Sequence, residues 1–319
     1  MIQEITNRLN VAPGQEIQDY VTLNGTEVHF KFIRAPFDSA PLVIRFHGAV
    51  KRDLRPLPAF QANLKSFSDN AHQISICDPT MMSRDGFSCS WYAGHEGLDV
   101  QSVLLEFIAA VKSSLSPSRT IYLGSSGGGF AALYFSYHDP ESLALVMVPQ
   151  TNLERHFSPG AVVNYLQQCW PGRSLEQASK ETCLDVTSLY ASGFNNSVVY
   201  VQSQGDFKHN ALQLTPFLTA CYKTGEPEDE KVILSSDYWG KPGHGGAVPA
   251  EGYTRWLRTA LTSPSLGVED LLATSAMLAS QSVSGSTRRE ETSTRVTSES
   301  DIGMAKVVKA GLLKQSSIS

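Results

Sequence analysis

Short, almost wholly apolar runs, each set off by a stretch with helical spacing, constrain this chain more than any other feature. "PLVIRFH" (41–47), "HQISICD" (72–78), "TIYLG" (120–124), "LALVMVP" (143–149), "NSVVYVQS" (196–203) and "KVILSS" (231–236) are of this kind. A strand with one wet face alternates apolar and polar residues, whereas a strand covered on both faces is apolar throughout. Between these runs, "GLDVQSVLLEFIAAVKSSL" (97–115), "GGGFAALYFSYH" (127–138), "KHNALQLTPFLTACYKTG" (208–225, with Pro216 as an interruption) and "PAEGYTRWLRTALT" (249–262) space their apolar residues as helices do. A further helical stretch is predicted at about 57–68. The pattern predicts an α/β fold with a mostly parallel central sheet covered by helices on both faces. "EVHFKFI" (27–33) does alternate, which places it with antiparallel strands at one edge of the sheet.

The domain is expected to span 1–262. Between about 150 and 195 the alternation fails, and a short helical insertion is expected there. It would act as a lid over the carboxyl ends of the strands, where such sheets bind ligands. From 263 to 319 the composition changes. "QSVSGSTRREETSTRVTSESD" is too poor in aliphatics to offset its ordering entropy, so a largely disordered Ser/Thr-rich tail is expected. Two short segments flank it, "VEDLLATSAMLA" and the basic amphipathic "IGMAKVVKAGLLKQ", and such a tail could recruit a protein partner.

Composition excludes several classes. With 319 residues, 41% of them apolar, the chain can bury one large core or two smaller ones. A net charge of −5 argues against a general nucleic-acid binder. No apolar window is long enough for a membrane span, and the N-terminus lacks a basic region followed by an apolar run. Five scattered cysteines without a C-x-x-C pair form neither a disulfide framework nor a zinc site. The expectation is a cytoplasmic protein with reduced thiols, no metal and no cofactor.

The stretch "TIYLGSSGGGFAAL" (120–133) carries the chemistry. It has no Lys after its glycines, so it is not a Walker loop, and it lacks the G-x-G-x-x-G spacing of a dinucleotide site. Gly124-Ser125-Ser126-Gly127-Gly128 does fit G-x-S-x-G. Ser126 is the central residue, since Leu123 would otherwise occupy the leading glycine position. Lying between a buried strand and a helix, this is the setting of a sharp turn that projects a serine hydroxyl from the top of a sheet. The alternative reading of the same residues is a Gly-rich helix start with a capping serine.

From about residue 19 to about 262 the chain resembles the α/β-hydrolase fold serine hydrolases. The resemblance implies a nucleophile, an acid and a histidine in that chain order. Ser126 is the nucleophile by motif. Asp206, right after "VVYVQSQG", stands where the acid belongs, and His244 in "KPGHGGAVP" stands where the histidine belongs. Asp237 is a rival acid and His209 a rival base. The resemblance places the oxyanion hole at the N–H of Gly127 and at a second N–H from the loop after "VIRFHG", that of Ala49 or of Val50. Here the family's HGGG-type motif is reduced to His47-Gly48-Ala49-Val50, and His47 can orient that loop or touch substrate. In "RDGFSCSWYAGHEG" (84–97), Trp91, Tyr92 and His95 form either a sugar- or acyl-binding platform or a plain packed loop. Gln150 and Thr151, at a strand's carboxyl end, are candidate substrate contacts, while Asp78 serves substrate or a chain turn. In general look the chain is also similar to the hydrolase-like proteins of bacterial glycan modification and accessory secretion.

The implied activity is ester hydrolysis through an acyl-enzyme, on a small-molecule or glycan ester. An acyltransferase would use the same groups. A different outcome, a non-catalytic hydrolase-fold scaffold in a multiprotein complex, shares the fold.

Overall fold

The computed structural model describes residues 2–62, 64–222, 231–239, 242–244 and 248–281. The chain divides into a unit of Met1–Ser275 and a unit of Ala276–Ser319. In the second, the described residues 276–281 are helical; of the tail predicted from 263, residues 282–319 lie outside the described residues.

The first unit opens with helix α1 (Ile2–Leu9) and the strands β1 (Glu16–Leu23) and β2 (Thr26–Ile33). Then follow β3 (Leu42–Phe46), β4 (His72–Ile76), α2 (Pro79–Ser83), α3 (Val100–Leu115), β5 (Thr120–Ser125), α4 (Gly127–Tyr137) and β6 (Leu143–Met147). Helices α5 (Pro159–Cys169), α6 (Leu175–Ala178) and α7 (Thr187–Tyr190) lead to β7 (Ser197–Ser203). Helices α8 (Phe207–His209) and α9 (Thr215–Cys221), strand β8 (Val232–Asp237) and helix α10 (Ala250–Thr262) complete the set. All eight strands join one sheet in the order β1-β2-β4-β3-β5-β6-β7-β8. The pairs β1–β2 and β2–β4 are antiparallel and every other pair is parallel, so the alternating strand does lie at an antiparallel edge.

β5 shows why the central strands are apolar throughout. Ile121 and Leu123 pack with Leu145, Val199 and, from α10, Trp256 and Leu257. Tyr122, between them in sequence, belongs to the opposite core with Phe46, Phe107, Phe130 and Tyr200. Each face is therefore dry, as a parallel sheet between helix layers must be. Past α10, Leu266 and Leu271 are buried in the α10-side core, and residues 268–275 are helical. Among the described residues no helix is long and apolar enough to cross a membrane.

Two local expectations change. The helix predicted at about 57–68 does not form; among the described residues there, helical structure is confined to a 3₁₀ turn at Lys65–Phe67. Pro56 and Pro58 lack a backbone donor and push their predecessors toward extended backbone. Side chains of β4 tether the segment instead: Ser75 Oγ accepts the Gln61 N–H at 3.0 Å, and the Gln73 amide bonds both Leu64 N–H and carbonyl at 3.2 and 3.0 Å. Downstream, the helix predicted across Pro216 forms with a π-helical turn, Asn210–Leu214, between α8 and α9. A proline ring crowds the carbonyl four residues back, here that of Leu212, and the wider turn relieves it.

Candidate active site

β5 ends at Ser125 and α4 begins at Gly127, leaving Ser126 alone to reverse the chain. Its backbone sits at φ 53°, ψ −121°, a region that costs an L-residue about 1–3 kcal/mol. Four hydrogen bonds impose it: the Ser126 N–H donates to the Met147 carbonyl at 3.0 Å, and its carbonyl accepts from the N–H groups of Gly129, Phe130 and Gln150 at 3.0, 3.3 and 3.1 Å. The turn leaves no space for side chains on the flanking glycines. A Cβ on Gly124 would overlap the Gly128 carbonyl, and one on Gly128 would overlap the Phe46 carbonyl. Backbone cannot yield as a flexible side chain can. Gly124→Ala should therefore lower unfolding stability by about 3 kcal/mol or more, read from urea unfolding midpoints; a loss under about 1 kcal/mol would contradict this packing account.

Because strands β3 to β8 run parallel, the segments leaving their carboxyl ends gather along one edge. Asp206 follows β7 and caps α8, its carboxylate accepting the His209 N–H at 3.3 Å. His244 follows β8. The Gly243 N–H donates to the Gly205 carbonyl at 2.8 Å, which ties the histidine segment to the aspartate segment. Across this edge His244 Nδ1 lies 2.9 Å from Asp206 Oδ2, and His244 Nε2 lies 3.1 Å from Ser126 Oγ. A carboxylate only accepts, so Nδ1 carries the proton and Nε2 is left to accept from the serine hydroxyl. Asp206 is 1% exposed, whereas Ser126 and His244 are half-buried. Burial pushes the Asp206 carboxyl upward, but hydrogen bonds from His209 and His244 outweigh it and hold the group well below the usual carboxylate range.

Neither rival contacts Ser126 Oγ among the described residues. Asp237 is exposed and accepts the N–H of its neighbour Tyr238 at 2.7 Å. His209 is fully buried, with Nδ1 on Asp206 at 3.1 Å and its ring stacked on His244. Donor atoms of Asp206, His209 and His244 lie within 4.8 Å of one another. Both Nδ1 atoms are engaged with the carboxylate, so the group is a hydrogen-bonded cluster.

The β3 loop presses against the serine turn: a Cβ on Gly48 would lie 3.1 Å from the Ser125 carbonyl oxygen and 3.9 Å from Gly127 N. Val50 donates its N–H to the Ser88 carbonyl at 2.7 Å, which removes it as a second donor. The N–H groups of exposed Ala49 and of Gly127 have no acceptor among the described residues. His47 orients the loop. Its Nε2 accepts the Asp78 N–H at 3.1 Å, so Nδ1 carries the hydrogen and donates to the Gly48 carbonyl at 2.7 Å. Burial depresses the His47 pKa, which favours this neutral form. Asp78 in turn accepts from Thr80 N–H, Ser90 Oγ and Tyr92 N–H at 2.9, 2.7 and 2.8 Å.

Trp91 and Tyr92 are each 1% exposed and offer no ring face to solvent. The Tyr92 hydroxyl donates to the Ile76 carbonyl and accepts the His47 N–H, both at 2.9 Å, joining the ends of β3 and β4. Trp91 Nε1 donates to Gln150 Oε1, and Gln150 Nε2 donates to His156 Nε2 at 2.8 Å. Thr151 is bound through its N–H and hydroxyl to Gln213, and His95 contacts Ser83 Oγ at 3.1 Å. Three neighbours of the site were given no role from the sequence: Cys89, His156 and Phe157. A Cβ on Gly127 would strike the Cys89 sulfur. Burial pushes that thiol up to about 12. Phe157 packs against the rings of both His209 and His244. Nothing in the local sequence marks Cys89 or Phe157. His209 has a signal, its i+3 spacing from a helix-capping aspartate.

No family model matches the chain, and no curated protein sequence is recognisably similar to it. Solved structures are similar in backbone. A histidine-to-alanine mutant of the capsule O-acetyltransferase of Neisseria meningitidis serogroup A, in complex with CoA, superposes with a TM-score of 0.55 at 17% identity, covering 82% of this chain and 100% of that one. An S-formylglutathione hydrolase from Agrobacterium tumefaciens gives 0.50 at 16% identity, covering 72% and 88%. An acylaminoacyl peptidase of Pyrococcus horikoshii gives 0.51 at 13%, covering 81% of this chain and 41% of that one. The fold is that of the α/β hydrolases. In that fold Ser126 occupies the strand-to-helix turn after the central strand β5, with Asp206 beyond β7 and His244 beyond β8.

Proposed function

We propose that the chain is a serine esterase that cleaves an acyl ester, such as the acetyl ester of a polar substrate, through Ser126, His244 and Asp206. The observation that carries the reading is the continuous hydrogen-bonded line Ser126 Oγ, His244 Nε2, His244 Nδ1, Asp206 Oδ2, at 3.1 and 2.9 Å. A serine hydroxyl attacks only if a base takes its proton as the bond to carbon forms. His244 Nε2 takes it, and Asp206 stabilises the resulting imidazolium and holds the tautomer. The acyl carbonyl oxygen becomes an oxyanion facing the N–H groups of Gly127 and Ala49. As the C–O bond to the leaving alcohol breaks, His244 returns the proton to it. Water then repeats the sequence on the acyl-enzyme, delivering the acid and restoring the serine.

A second reading is acyl transfer, in which an alcohol replaces water in the last step. The superposition on the whole of a capsule O-acetyltransferase, over 82% of this chain, supports it. A fluorophosphonate probe should label the chain at Ser126 and fail on Ser126→Ala. Product analysis with p-nitrophenyl acetate, with and without a sugar alcohol, then separates acetate release from acetyl transfer. A wild-type chain that neither labels nor turns over ester would sink both readings.

The second oxyanion donor has its own test. Ala49→Pro deletes one N–H and leaves every side chain of the relay in place. It should reduce kcat by about 10²–10³-fold, with the melting temperature near that of the wild type. An unchanged kcat would place the donor elsewhere.

A further inference from the structure

Asp206 is gripped by two imidazoles. We propose that His209 is a positioning residue, fixing the Asp206 carboxylate with its Nδ1–H and the plane of the His244 ring by stacking, without itself taking a proton from Ser126. The proposal rests on the esterase reading.

The geometry is specific. His209 is 0% exposed and stands three residues after Asp206, so the first turn of α8 folds its ring back over the carboxylate that caps it. Its Nδ1 lies 3.1 Å from Asp206 Oδ2, the same oxygen that holds His244 Nδ1 at 2.9 Å, and 3.3 Å from Oδ1. Since the carboxylate only accepts, both rings present an Nδ1–H to it, and in each neutral ring Nε2 is a bare acceptor. The two acceptors differ in surroundings. That of His244 meets Ser126 Oγ, while that of His209 is buried with no hydrogen-bond partner among the described residues. A base with no hydroxyl in reach cannot serve the serine. A buried nitrogen left unpaired is uncommon and asks for a reason, and the stack supplies one. The two rings lie parallel, 9° apart, with centroids separated by 4.1 Å, and Phe157 packs against both at 5.0 and 5.4 Å. The His209 ring thus forms a flat wall on which His244 rests, on a segment also tied to the aspartate loop by the bond from Gly243 to Gly205. The Nδ1–H opposes rotation of the carboxylate away from His244.

Two substitutions separate these contributions. His209→Asn keeps a donor on the same carbon and loses the ring. His209→Phe keeps a ring of similar shape and loses the donor. On the full chain, with p-nitrophenyl acetate, His209→Phe should lose about tenfold or more in kcat while KM stays within about twofold. His209→Asn should recover part of that loss, the remainder being the share of the lost stack. A downfield proton resonance from the His244–Asp206 bond, identified by its loss in Asp206→Asn, should stay sharp in His209→Asn and broaden in His209→Phe. That signal needs no turnover, so it reads the positioning role even in a chain with no esterase activity. Wild-type kcat and a sharp resonance in His209→Phe would overturn the proposal. Equal losses in both variants with a sharp resonance would overturn it too, by reducing His209 to packing. A wild type that fluorophosphonate does not label would defeat the esterase reading, and the resonance would still decide whether His209 holds the pair.

Discussion

Replacing Ser126 with alanine should lower kcat for an activated ester by about 10⁶-fold, and His244→Ala should cost nearly as much. The two losses should not add. An alcohol without its base and a base without its alcohol fail at the same step, so the double variant should be no slower than either single one. A residual rate about 10³-fold above water should persist in all three, supplied by binding and by backbone N–H groups that neither substitution removes. The side chains meet at 3.1 Å, and both are half-buried, so substrate can reach them. Steady-state kinetics on p-nitrophenyl acetate, with active-site titration to exclude wild-type contamination, reads the result. Additive losses would mean that the two residues act in separate steps.

Asp206→Asn should cost about 10⁴-fold in kcat with the fold intact. An amide presents an N–H where the carboxylate presented a lone pair. Facing that donor, His244 would switch to the tautomer with the hydrogen on Nε2, which points a donor at Ser126 Oγ. The same substitution should change the acid side of the stability curve. Hydrogen bonds to His209 and His244 depress the folded-state pKa of Asp206 despite its burial. A depressed carboxyl stabilises the fold fully above its unfolded pKa of about 4, and that contribution is lost as pH falls through the lower folded value. The wild type should therefore melt above Asp206→Asn at neutral pH, with the gap closing in acid. A gap that widens on acidification would show that the hydrogen bonds do not hold the carboxylate ionised.

Much of the sheet was legible because a strand buried on two faces declares itself over five or six residues. β5 reads as "TIYLG" whether or not its neighbours are known. The failures also have local causes that the periodicity hides. Apolar spacing near 57–68 resembles a helix, yet Pro56 and Pro58 and the β4 side chains Ser75 and Gln73 hold that segment in loop form. Pro216 does not end its helix, because a π turn takes up the strain.

By itself the sequence determined the run of strands from β3 to β8, the glycines that a tight serine turn demands, and the placing of Ser126, Asp206 and His244 after strands. Each of these is a property of a short contiguous stretch. Only the tertiary structure decided that Val50 gives its N–H to Ser88 while Ala49 keeps its own, that Trp91 and Tyr92 lie buried, and that His209 stacks on His244 across one carboxylate. These depend on which atom from a distant segment arrives within hydrogen-bond or van der Waals reach, and no local pattern of residues encodes that arrival.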